Sequence, residues 1–507
     1  MNSTIKLLDL AAKKFGNKIG YEDEWEEISF NELRKKAMII GTKLVNQLSP
    51  DQLISPVIVY MPKNIKCIVS YMGIQYSGNP YVPVDSNIPL ARLQKIIDNL
   101  NPGAIITDKD HIAKLEDIHL GKTIAYLYDD IVEGSIDNEV IESVVQKVID
   151  TDPIYIMYTS GSTGEPKGVT ISHRGVIDYA NWVVETFGFD NNTIMANQAP
   201  FYFDNSIFEI YGCLVCGGKM VLIPEVLMMF PVKLPEFLEF HEINTIFWVP
   251  TVMINVANSG ALSKHKLPLL KTVTFCGEIM PNKQLNIWRR EHPDCLYANL
   301  YGPTEITDVC TYYIVDREFE DSDPLPIGKA CKNTRIIVLN DNNQIAKIGE
   351  IGELCVIGTG LGLGYWGNKE ATKKAFVQNP ANPYYNELIY RTGDLAYIDQ
   401  EGLIMILGRM DSQIKLRGNR IELGEIEKAA ACIDGIKRTC AIFNLQKEEI
   451  VLFVETPKEF TLRKINMELL KYIPRYMLPH KLISLENFPH TANDKIDRVT
   501  LQKTYFE

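Results

Sequence analysis

The loop between Tyr158 and Gly168 constrains this chain more than any other segment. It reads Tyr-Thr-Ser-Gly-Ser-Thr-Gly-Glu-Pro-Lys-Gly and follows an apolar run at residues 154–157 that predicts a buried strand. Glycines let backbone N–H groups approach phosphate oxygens, hydroxyls add donors, and Lys167 adds a positive charge. A Walker loop ends in Gly-Lys-Ser/Thr, whereas this one ends in Lys-Gly. The pattern predicts a triphosphate site of another kind rather than a flexible surface turn.

Size and charge narrow the class of protein. At 507 residues the chain is long enough for two or more domains, and 46% hydrophobic with 23% charged residues is typical of a globular protein. A net charge of −12 argues against nucleic acid and against an anionic membrane surface as partners. The N-terminus has no signal-peptide pattern, and no apolar stretch approaches the length of a membrane helix. We therefore expect a cytoplasmic protein.

The order of apolar runs predicts the fold class. Helical patterns alternate with short apolar strands at residues 56–60, 104–107, 220–223, 245–249 and 272–275, which predicts α/β structure with mainly parallel sheets. One helix is expected to begin with a polar cap at Ser29 or Asn31. Closely spaced strands at 335–356 predict a β-rich subdomain. We expect a large N-terminal domain over residues 1–410 and a small α+β domain over 411–507, in which a helix starts at Ile421.

Four further motifs follow the loop in order. They are Asn-Leu-Tyr-Gly-Pro-Thr-Glu at 299–305, Tyr-Arg-Thr-Gly-Asp at 390–394, Gly-Arg-Met-Asp-Ser-Gln-Ile-Lys-Leu-Arg-Gly at 408–418, and Asn-Asp-Lys-Ile-Asp-Arg at 493–498. Together the five motifs resemble those of the adenylate-forming superfamily, which includes acyl-CoA synthetases, luciferases and the adenylation domains of nonribosomal peptide synthesis. The resemblance covers nearly the whole chain. It implies that residues 411–507 form a mobile lid that rotates about Asp411.

The resemblance also implies a site for ATP and Mg²⁺. Thr304 would touch the α-phosphate, and Glu305 would hold the metal, a hard cation that prefers oxygen ligands. Tyr301, in the motif that Asn299 opens, would stack on adenine, with Asp394 on the ribose hydroxyls and Arg409 near the ribose. The residues expected to cradle the β- and γ-phosphates are Thr159, Ser160, Gly161, Ser162, Thr163, Gly164 and Lys167.

Lys495 is the catalytic residue that the resemblance places on the lid. The matching lysine reaches the substrate carboxylate and the α-phosphate, and it would act with Thr304 and Glu305. A cation that arrives only on closure stabilises the transition state without trapping ATP in the open form. The family pattern there is Asn-Gly-Lys, whereas this chain has Asp494 in place of the glycine.

The acid to be activated is indicated by Asp204. The run at 203–208 resembles a motif in which an aspartate binds the α-ammonium of an amino acid, and this favours an amino acid over an acyl or aryl acid. The runs at 197–201 and 275–278 resemble those of D-alanine–carrier protein ligases, so a small amino acid is expected, with alanine or D-alanine the leading example. Asn205 and Asp308 depart from the apolar residues of an alanine pocket and could meet a hydroxyl, an amine or an imino group. The other pocket positions carried over are Phe208, Phe247, Thr274, Cys276, Gly277, Leu300 and Val309.

The acceptor is expected to be a separate molecule. No phosphopantetheine attachment motif or condensation region follows the lid, so we expect the pantetheine thiol of a separate carrier protein to take the aminoacyl group. Lys415 and the Arg417-Gly418 pair would face the site after the lid turns. Two alternatives remain open: an acyl- or aryl-acid–CoA ligase of the same superfamily, and a non-catalytic relative that binds nucleotide.

Overall fold

The computed structural model describes residues 2–48, 54–160, 165–410, 413–456, 458–489 and 496–506. Helices and short strands alternate from the start of the chain, as the apolar runs predict. Within the described ranges no helix is both long and apolar enough to cross a bilayer. The elements up to residue 159 are α1 (Ile5–Phe15), β1 (Ile19–Glu22), β2 (Glu27–Ser29), α2 (Phe30–Gln47), β3 (Val57–Tyr60), α3 (Ile65–Tyr76), β4 (Tyr81–Val84), α4 (Leu90–Leu100), β5 (Ala104–Thr107), α5 (Lys109–Ile112), β6 (Ile124–Leu127), α6 (Tyr128–Ile131), α7 (Asn138–Val145) and β7 (Pro153–Thr159).

The polar cap expected at Ser29 or Asn31 lies at Ser29. Its side chain accepts a hydrogen bond from the Glu32 backbone N–H, and the Glu32 carboxylate accepts one from the Ser29 backbone N–H. This reciprocal pair satisfies two donors that a helix start leaves unpaired. It fixes the first residue of α2 at Phe30.

The middle of the chain continues the alternation. Strands β10, β11 and β12 coincide within a residue with the runs predicted at 220–223, 245–249 and 272–275. The elements are β8 (Lys167–Ser172), α8 (His173–Phe187), β9 (Ile194–Asn197), α9 (Ser206–Cys216), β10 (Lys219–Leu222), α10 (Leu234–Phe240), β11 (Thr245–Trp248), α11 (Pro250–Asn258), β12 (Thr272–Cys276), α12 (Asn282–Glu291), β13 (Leu296–Tyr301), β14 (Thr311–Ile314) and β15 (Lys329–Ala330).

The last third of the chain is richer in strands. The helix expected from Ile421 begins at Leu423, because Ile421 pairs with Ile414 in a β-hairpin. The elements are β16 (Thr334–Leu339), β17 (Gly352–Gly358), β18 (Gly364–Tyr365), α13 (Lys369–Ala375), β19 (Phe376–Gln378), β20 (Leu388–Ile398), β21 (Ile404–Arg409), β22 (Gln413–Leu416), β23 (Asn419–Glu422), α14 (Leu423–Ala431), β24 (Arg438–Asn444), β25 (Glu449–Glu455), α15 (Leu462–Leu469), β26 (Lys481–Leu485) and α16 (Arg498–Phe506).

Two large sheets form the body of the fold. One has the strand order β15-β14-β13-β12-β11-β9-β10-β1-β2 and the other β18-β8-β7-β4-β3-β5-β6. Pairing is parallel from β13 through β12, β11, β9 and β10 to β1, and antiparallel at both ends of that sheet. A continuous hydrophobic core joins residues of both sheets with α1, α2, α3, α8 and α9. The predicted α/β class with mainly parallel sheets is therefore confirmed.

The remaining strands form smaller sheets. Strands β16, β17, β19, β20 and β21 make the antiparallel sheet predicted as a β-rich subdomain. After residue 413 come the hairpin β22–β23 and the sheet of β24, β25 and β26. Helices α14 and α15 pack on the latter around a hydrophobic cluster of their own, which includes Ile426, Leu452 and Ile465. This is the α+β structure expected at the C-terminal end.

Candidate active site

A cavity opens where strands of both large sheets end. Its walls come from the ends of β7, β12 and β13, from β20 and β21, and from the hairpin β22–β23. Parallel strands present their carboxyl ends at one edge of a sheet, and open α/β sheets bind ligands at that edge. The topology therefore brings four of the five sequence motifs, those at 158–168, 299–305, 390–394 and 408–418, to one place.

The described part of the phosphate loop contributes two hydroxyls. Thr159 and Ser160 both line the cavity. The Ser160 hydroxyl donates a hydrogen bond of 2.8 Å to the carbonyl oxygen of Arg420. Thr159 Oγ1 is buried and has no hydrogen-bond partner among the described residues. A buried hydroxyl without a partner is unusual in a folded protein, and a ligand oxygen would satisfy it.

Lys167 lies beside Thr159, because the two residues pair across β7 and β8. Its ammonium is 5.4 Å from the centroid of the Tyr365 ring, which is within cation–π range. Burial, and then the positive charge of Arg420, lowers the pKa of Lys167. Lys167 forms no ion pair with another described residue. This half-buried cation at the start of β8 is suited to an anionic ligand such as a phosphate.

Glu305 is fully buried in a short helical turn, Thr304–Ile306, that follows β13. Nη1 of Arg420 lies 2.9 and 3.0 Å from its two carboxylate oxygens, and the Tyr365 hydroxyl donates a 2.8 Å hydrogen bond to Oε1. Burial alone would raise the pKa of Glu305, but the Arg420 charge and the Tyr365 hydrogen bond lower it overall. Glu305 is thus held as a carboxylate, the form that binds a metal ion.

Tyr301, Asp394 and Arg409 form one network where the nucleoside was expected. The Tyr301 hydroxyl donates to Oδ2 of Asp394, and Nη1 of Arg409 is 3.0 Å from its Oδ1. Asp394 and Arg409 line the cavity, as does Thr304. Asn299 lies behind this wall, where its amide donates to the Pro326 carbonyl at 2.8 Å. The structure therefore does not bring Asn299 to the cavity surface.

The amino-acid positions divide into two groups. Asp204 and Asp308 line the cavity together with Asn205, Cys276 and Gly277. The other five are buried behind the lining, and two of them, Phe208 and Phe247, stack with ring centroids 4.4 Å apart. The buried five are Phe208, Phe247, Thr274, Leu300 and Val309. The cavity lining ends before it reaches these two phenylalanines.

Two carboxylates face the amino-acid end of the cavity. Burial raises the pKa of Asp204, against the lowering effects of the Thr304 hydroxyl and the Lys415 charge. Asp308 is 2% exposed, and burial followed by the charge of Asp204 raises its pKa well above the ordinary range. The Tyr179 hydroxyl donates a hydrogen bond to Oδ2 of Asp308.

An unusual turn presents Asp308 to the cavity. Thr307 and Asp308 have φ values of 65° and 68°, a left-handed conformation that is a clear outlier for a β-branched residue. The Thr307 hydroxyl donates to the Gly360 carbonyl at 2.7 Å. A Cβ atom on Gly302 would lie 2.1 Å from the carbonyl oxygen of Asp308, so only glycine fits there. These constraints fix the backbone on which the Asp308 side chain is displayed.

The hairpin β22–β23 covers the cavity from the C-terminal side. Lys415 and Arg420 stand opposite each other in its register, and both line the cavity. The Lys415 ammonium is 5.6 Å from the centroid of the Tyr301 ring. At the hairpin turn, the Gly418 backbone N–H donates to Oε1 of Glu278 at 2.8 Å. Of the three residues expected to face the site after the lid turns, Lys415 and Gly418 line the cavity and Arg417 does not.

Several residues at the site were not anticipated from the sequence. Arg420, Tyr365, Tyr179 and Glu278 make the contacts described above, and Tyr476 also lines the cavity. The sequence offered one signal for Arg420. If residues 413–422 are recognised as a β-hairpin, Arg420 lies opposite Lys415. Some expected site residues, namely Gly161, Ser162, Thr163, Gly164, Asp411 and Lys495, lie outside the described residues.

The fit of a metal ion depends on Glu305. Among the described residues, no group of three or more His, Cys, Asp or Glu side chains could hold a metal by itself. Mg²⁺ commonly binds through one or two carboxylates together with substrate phosphates, and Glu305 beside the phosphate loop fits that pattern. The position next to Glu305 is taken by the Arg420 guanidinium. A metal ion at Glu305 would therefore compete with Arg420 for the carboxylate.

Comparisons with known proteins agree with this geometry. A sequence model of a family described as AMP-binding enzyme matches residues 8–366. The D-alanine–D-alanyl carrier protein ligase of Bacillus thuringiensis (strain Al Hakam) is 31% identical over 491 residues, which is 94% of each protein. A ligase of the same name from Bacillus anthracis (strain CDC 684 / NRRL 3495) is 31% identical over 490 residues, again 94% of each.

Solved structures share the fold at lower identity. The Vibrio cholerae adenylation domain AlmE, solved with glycyl-adenosine-5'-phosphate, has a TM-score of 0.82 at 21% identity, covering 99% of this chain and 97% of that one. NpsA-ThdA, an artificially fused adenylation–PCP di-domain from Klebsiella oxytoca, has a TM-score of 0.81 at 20% identity, covering 95% and 93%. At these identities the likeness concerns the fold alone.

Proposed function

The chain belongs to the AMP-binding enzyme family and is an AMP-forming ligase, and on that premise we propose that it activates a small amino acid. ATP and the amino acid would give aminoacyl-AMP and pyrophosphate, and the aminoacyl group would then pass to the phosphopantetheine thiol of a separate carrier protein. Alanine or D-alanine is the leading example, supported by the names of the 31%-identical relatives. ATP use points to the cytoplasm.

Asp204 is the observation that carries the amino-acid assignment. It lines the cavity near Thr304, within reach of the Glu305 and Lys415 charges, so an α-ammonium paired with it would bring the substrate carboxylate towards the phosphate end. A buried carboxylate is costly unless a cation pairs with it. An acyl or aryl acid would leave Asp204 without such a partner, which disfavours the CoA-ligase alternative.

The phosphate end supplies the groups that adenylation needs. Attack of a carboxylate on the α-phosphorus spreads negative charge over the phosphoryl oxygens. Lys167 and the hydroxyls of Thr159 and Ser160 would hold the phosphates, and Thr304 would contact the α-phosphate. Glu305 would hold Mg²⁺, which when bound neutralises charge on the phosphates. Asp394, Tyr301 and Arg409 would take the nucleoside, and Lys495 would bring a cation to the reacting carboxylate.

We assign this position of the hairpin β22–β23 to the step that transfers the aminoacyl group to the carrier protein. Lys415 and Gly418 line the cavity, and Arg420 occupies the metal position at Glu305. Adenylation requires that position for Mg²⁺ and requires Lys495 in the site, so residues 411–507 would turn about Asp411 between the two half-reactions.

ATP–pyrophosphate exchange with both enantiomers of each amino acid tests this function. We expect exchange with a small amino acid, and we expect Asp204→Asn to reduce it by about 10²-fold or more, because the α-ammonium loses its charged partner. Asp434→Asn, at an exposed carboxylate, is the matched control. Propionate activated as well as alanine would contradict amino-acid recognition and support the CoA-ligase alternative.

A further inference from the structure

We propose that the amino acid activated at this site is a short diamino acid whose side-chain ammonium pairs with Asp308. The inference rests on the proposed amino-acid activation and names its substrate class. It covers α,β- and α,γ-diamino acids, which carry a second ammonium one or two methylenes beyond the α-carbon.

The first support is the placement of Asp308. Its side chain is 2% exposed, yet it lines the cavity, and its backbone is held by the constrained turn at Thr307. Tyr179 donates to Oδ2, while Oδ1 has no hydrogen-bond partner among the described residues. Tyr179 therefore fixes the rotation of the carboxyl group and leaves one oxygen for a ligand. Because Asp308 lines the cavity, an ammonium bound there can pair with Oδ1.

The second support is the balance of charge. Asp204 and Asp308 face one cavity, and burial, with a contribution from the charge of Asp308, raises the pKa of the fully buried Glu209. Against the effect of burial, Lys415, on the cavity wall, is the cation whose charge lowers the pKa of Asp308, and Lys63 acts in the same sense on Glu209. A monoamino acid brings one ammonium, which Asp204 takes. A second ammonium would hold Asp308 in its carboxylate form, whereas with a hydroxyl in its place burial would continue to raise the pKa of Asp308 and favour its protonated form.

The third support is the limited depth of the cavity. Phe208 and Phe247 are stacked and buried, and they lie outside the lining. The side-chain space therefore ends before this stack, with Cys276 and Asp308 as its neighbours. We therefore expect a side chain with one or two methylenes to be preferred over a long basic side chain such as that of lysine.

The test compares substrates in ATP–pyrophosphate exchange with the whole chain. The panel contains alanine, serine, lysine, 2,3-diaminopropionate and 2,4-diaminobutyrate, each as both enantiomers. We expect kcat/KM for one of the two diamino acids to exceed that for alanine and serine by about 10²-fold or more, since a site built for a polar group strongly rejects analogues that lack it.

Two variants test the role of Asp308. Asp308→Ala, whose small side chain suits the left-handed backbone at this position better than a β-branched one, should lower kcat/KM for the diamino acid by about 10²–10³-fold and abolish its preference over alanine. Calorimetric ATP binding shows that the variant folds. Asp308→Asn preserves the shape and the Tyr179 hydrogen bond while removing the charge, and it should lose the same preference. Asp434→Asn is the control, and it should leave kcat/KM unchanged for both alanine and the diamino acid.

The outcomes separate this inference from the proposed function. Preference for serine or alanine in the wild-type enzyme overturns the diamino-acid assignment and leaves amino-acid activation standing. A diamino-acid preference that survives in Asp308→Ala and Asp308→Asn overturns the role of Asp308. Absence of exchange with every amino acid overturns the proposed function itself.

Discussion

One nitrogen of Arg420, Nη1, contacts both carboxylate oxygens of Glu305, at 2.9 and 3.0 Å. Arg420 lies on β23, in the C-terminal hairpin, and Glu305 follows β13 of the large sheet. The arginine thus neutralises the carboxylate that would otherwise bind Mg²⁺. The Arg420 Nε also donates to Gln413 at 2.9 Å, which anchors the guanidinium within its own hairpin. A metal ion bound to Glu305, as proposed above, would compete with Arg420 for the same two carboxylate oxygens.

Arg420→Gln is expected to separate the two half-reactions. Without the guanidinium, Glu305 no longer favours the described position of the hairpin, so carrier loading should fall about tenfold, equivalent to about 1–2 kcal/mol for a partly buried ion pair. Pyrophosphate exchange should persist within about threefold, and it should saturate at a lower Mg²⁺ concentration because the metal has lost its competitor. Both half-reactions are measured with ATP and a cognate carrier protein.

Arg463→Gln is the matched control, since Arg463 is an exposed arginine on α15. It should alter neither half-reaction. If Arg420→Gln left both carrier loading and the Mg²⁺ dependence unchanged, the Arg420–Glu305 ion pair would have no part in the change between the two half-reactions.

Gly418→Ala is expected to hinder carrier loading in the same selective way. Gly418 has a φ of +76°, and an added Cβ would lie 2.9 Å from Cγ1 of Val249. The left-handed conformation costs alanine about 1 kcal/mol. The close contact with Val249 adds a steric cost, which arises only while the hairpin β22–β23 covers the cavity. We expect at least a tenfold loss of loading with exchange nearly unchanged. Gly402→Ala, with a φ of +80° and open space around the Cβ, carries the backbone cost alone and should affect loading little. Equal losses in the two variants would rule out the steric explanation.

Lys495→Ala is expected to lower the rate of adenylate formation by about 10²–10³-fold, the usual effect of removing one group that stabilises developing charge. ATP binding, followed by fluorescence or calorimetry, should change little, because the lysine is expected to act only on closure. Lys503→Ala, on the exposed surface of α16, provides the comparison. Near wild-type adenylation by Lys495→Ala would exclude the catalytic role.

His173 should make folding stability depend on pH. Its Nδ1 accepts a hydrogen bond from the Thr4 backbone N–H at 3.3 Å, and burial lowers the pKa of His173 to about 4, against the opposing charge of Asp150. The unfolded chain takes up this proton near pH 6.5, so the contribution to the free energy of unfolding is complete above that pH and is lost as the pH falls towards 4. Its full size is about 3 kcal/mol.

Urea unfolding at pH 7.5, 6.0 and 5.0 measures this dependence. His173→Gln removes the titrating group, so its stability should fall less than that of the wild type between pH 7.5 and 5.0. His265→Gln, at a more exposed histidine, should retain the wild-type dependence. Identical pH profiles for wild type and His173→Gln would show that the buried histidine does not contribute.

Local features of the fold were predictable from sequence. Apolar runs such as 245–249 became strands of the large sheet, and Ser29 with Glu32 formed the capping box that begins α2. Periodicity failed at Ile421, where the helical pattern extends two residues into β23. The pairing of Ile414 with Ile421 overrode it, and that pairing depends on a hairpin turn with Gly418 at positive φ.

The site was predictable where one motif supplies neighbouring residues. Tyr301, Thr304 and Glu305 belong to one strand end, so the sequence already places them together. Contacts between distant segments were not predictable, because they depend on how the hairpin docks: Arg420 meets Glu305 across 115 positions. The depth of the amino-acid pocket likewise depends on the packing of Phe208 against Phe247, which no local pattern reveals.

The turn that carries Asp308 keeps its backbone shape through contacts that are independent of the Asp308 side chain. Gly302 and the Thr307 hydroxyl hold its shape through contacts that do not involve the side chain at position 308. A replacement that tolerates the left-handed backbone at 308, such as asparagine, therefore reaches the same place in the cavity on the same scaffold. In evolutionary terms, a lineage with this turn could change the amino acid it consumes through a single codon, without first rebuilding the protein around it.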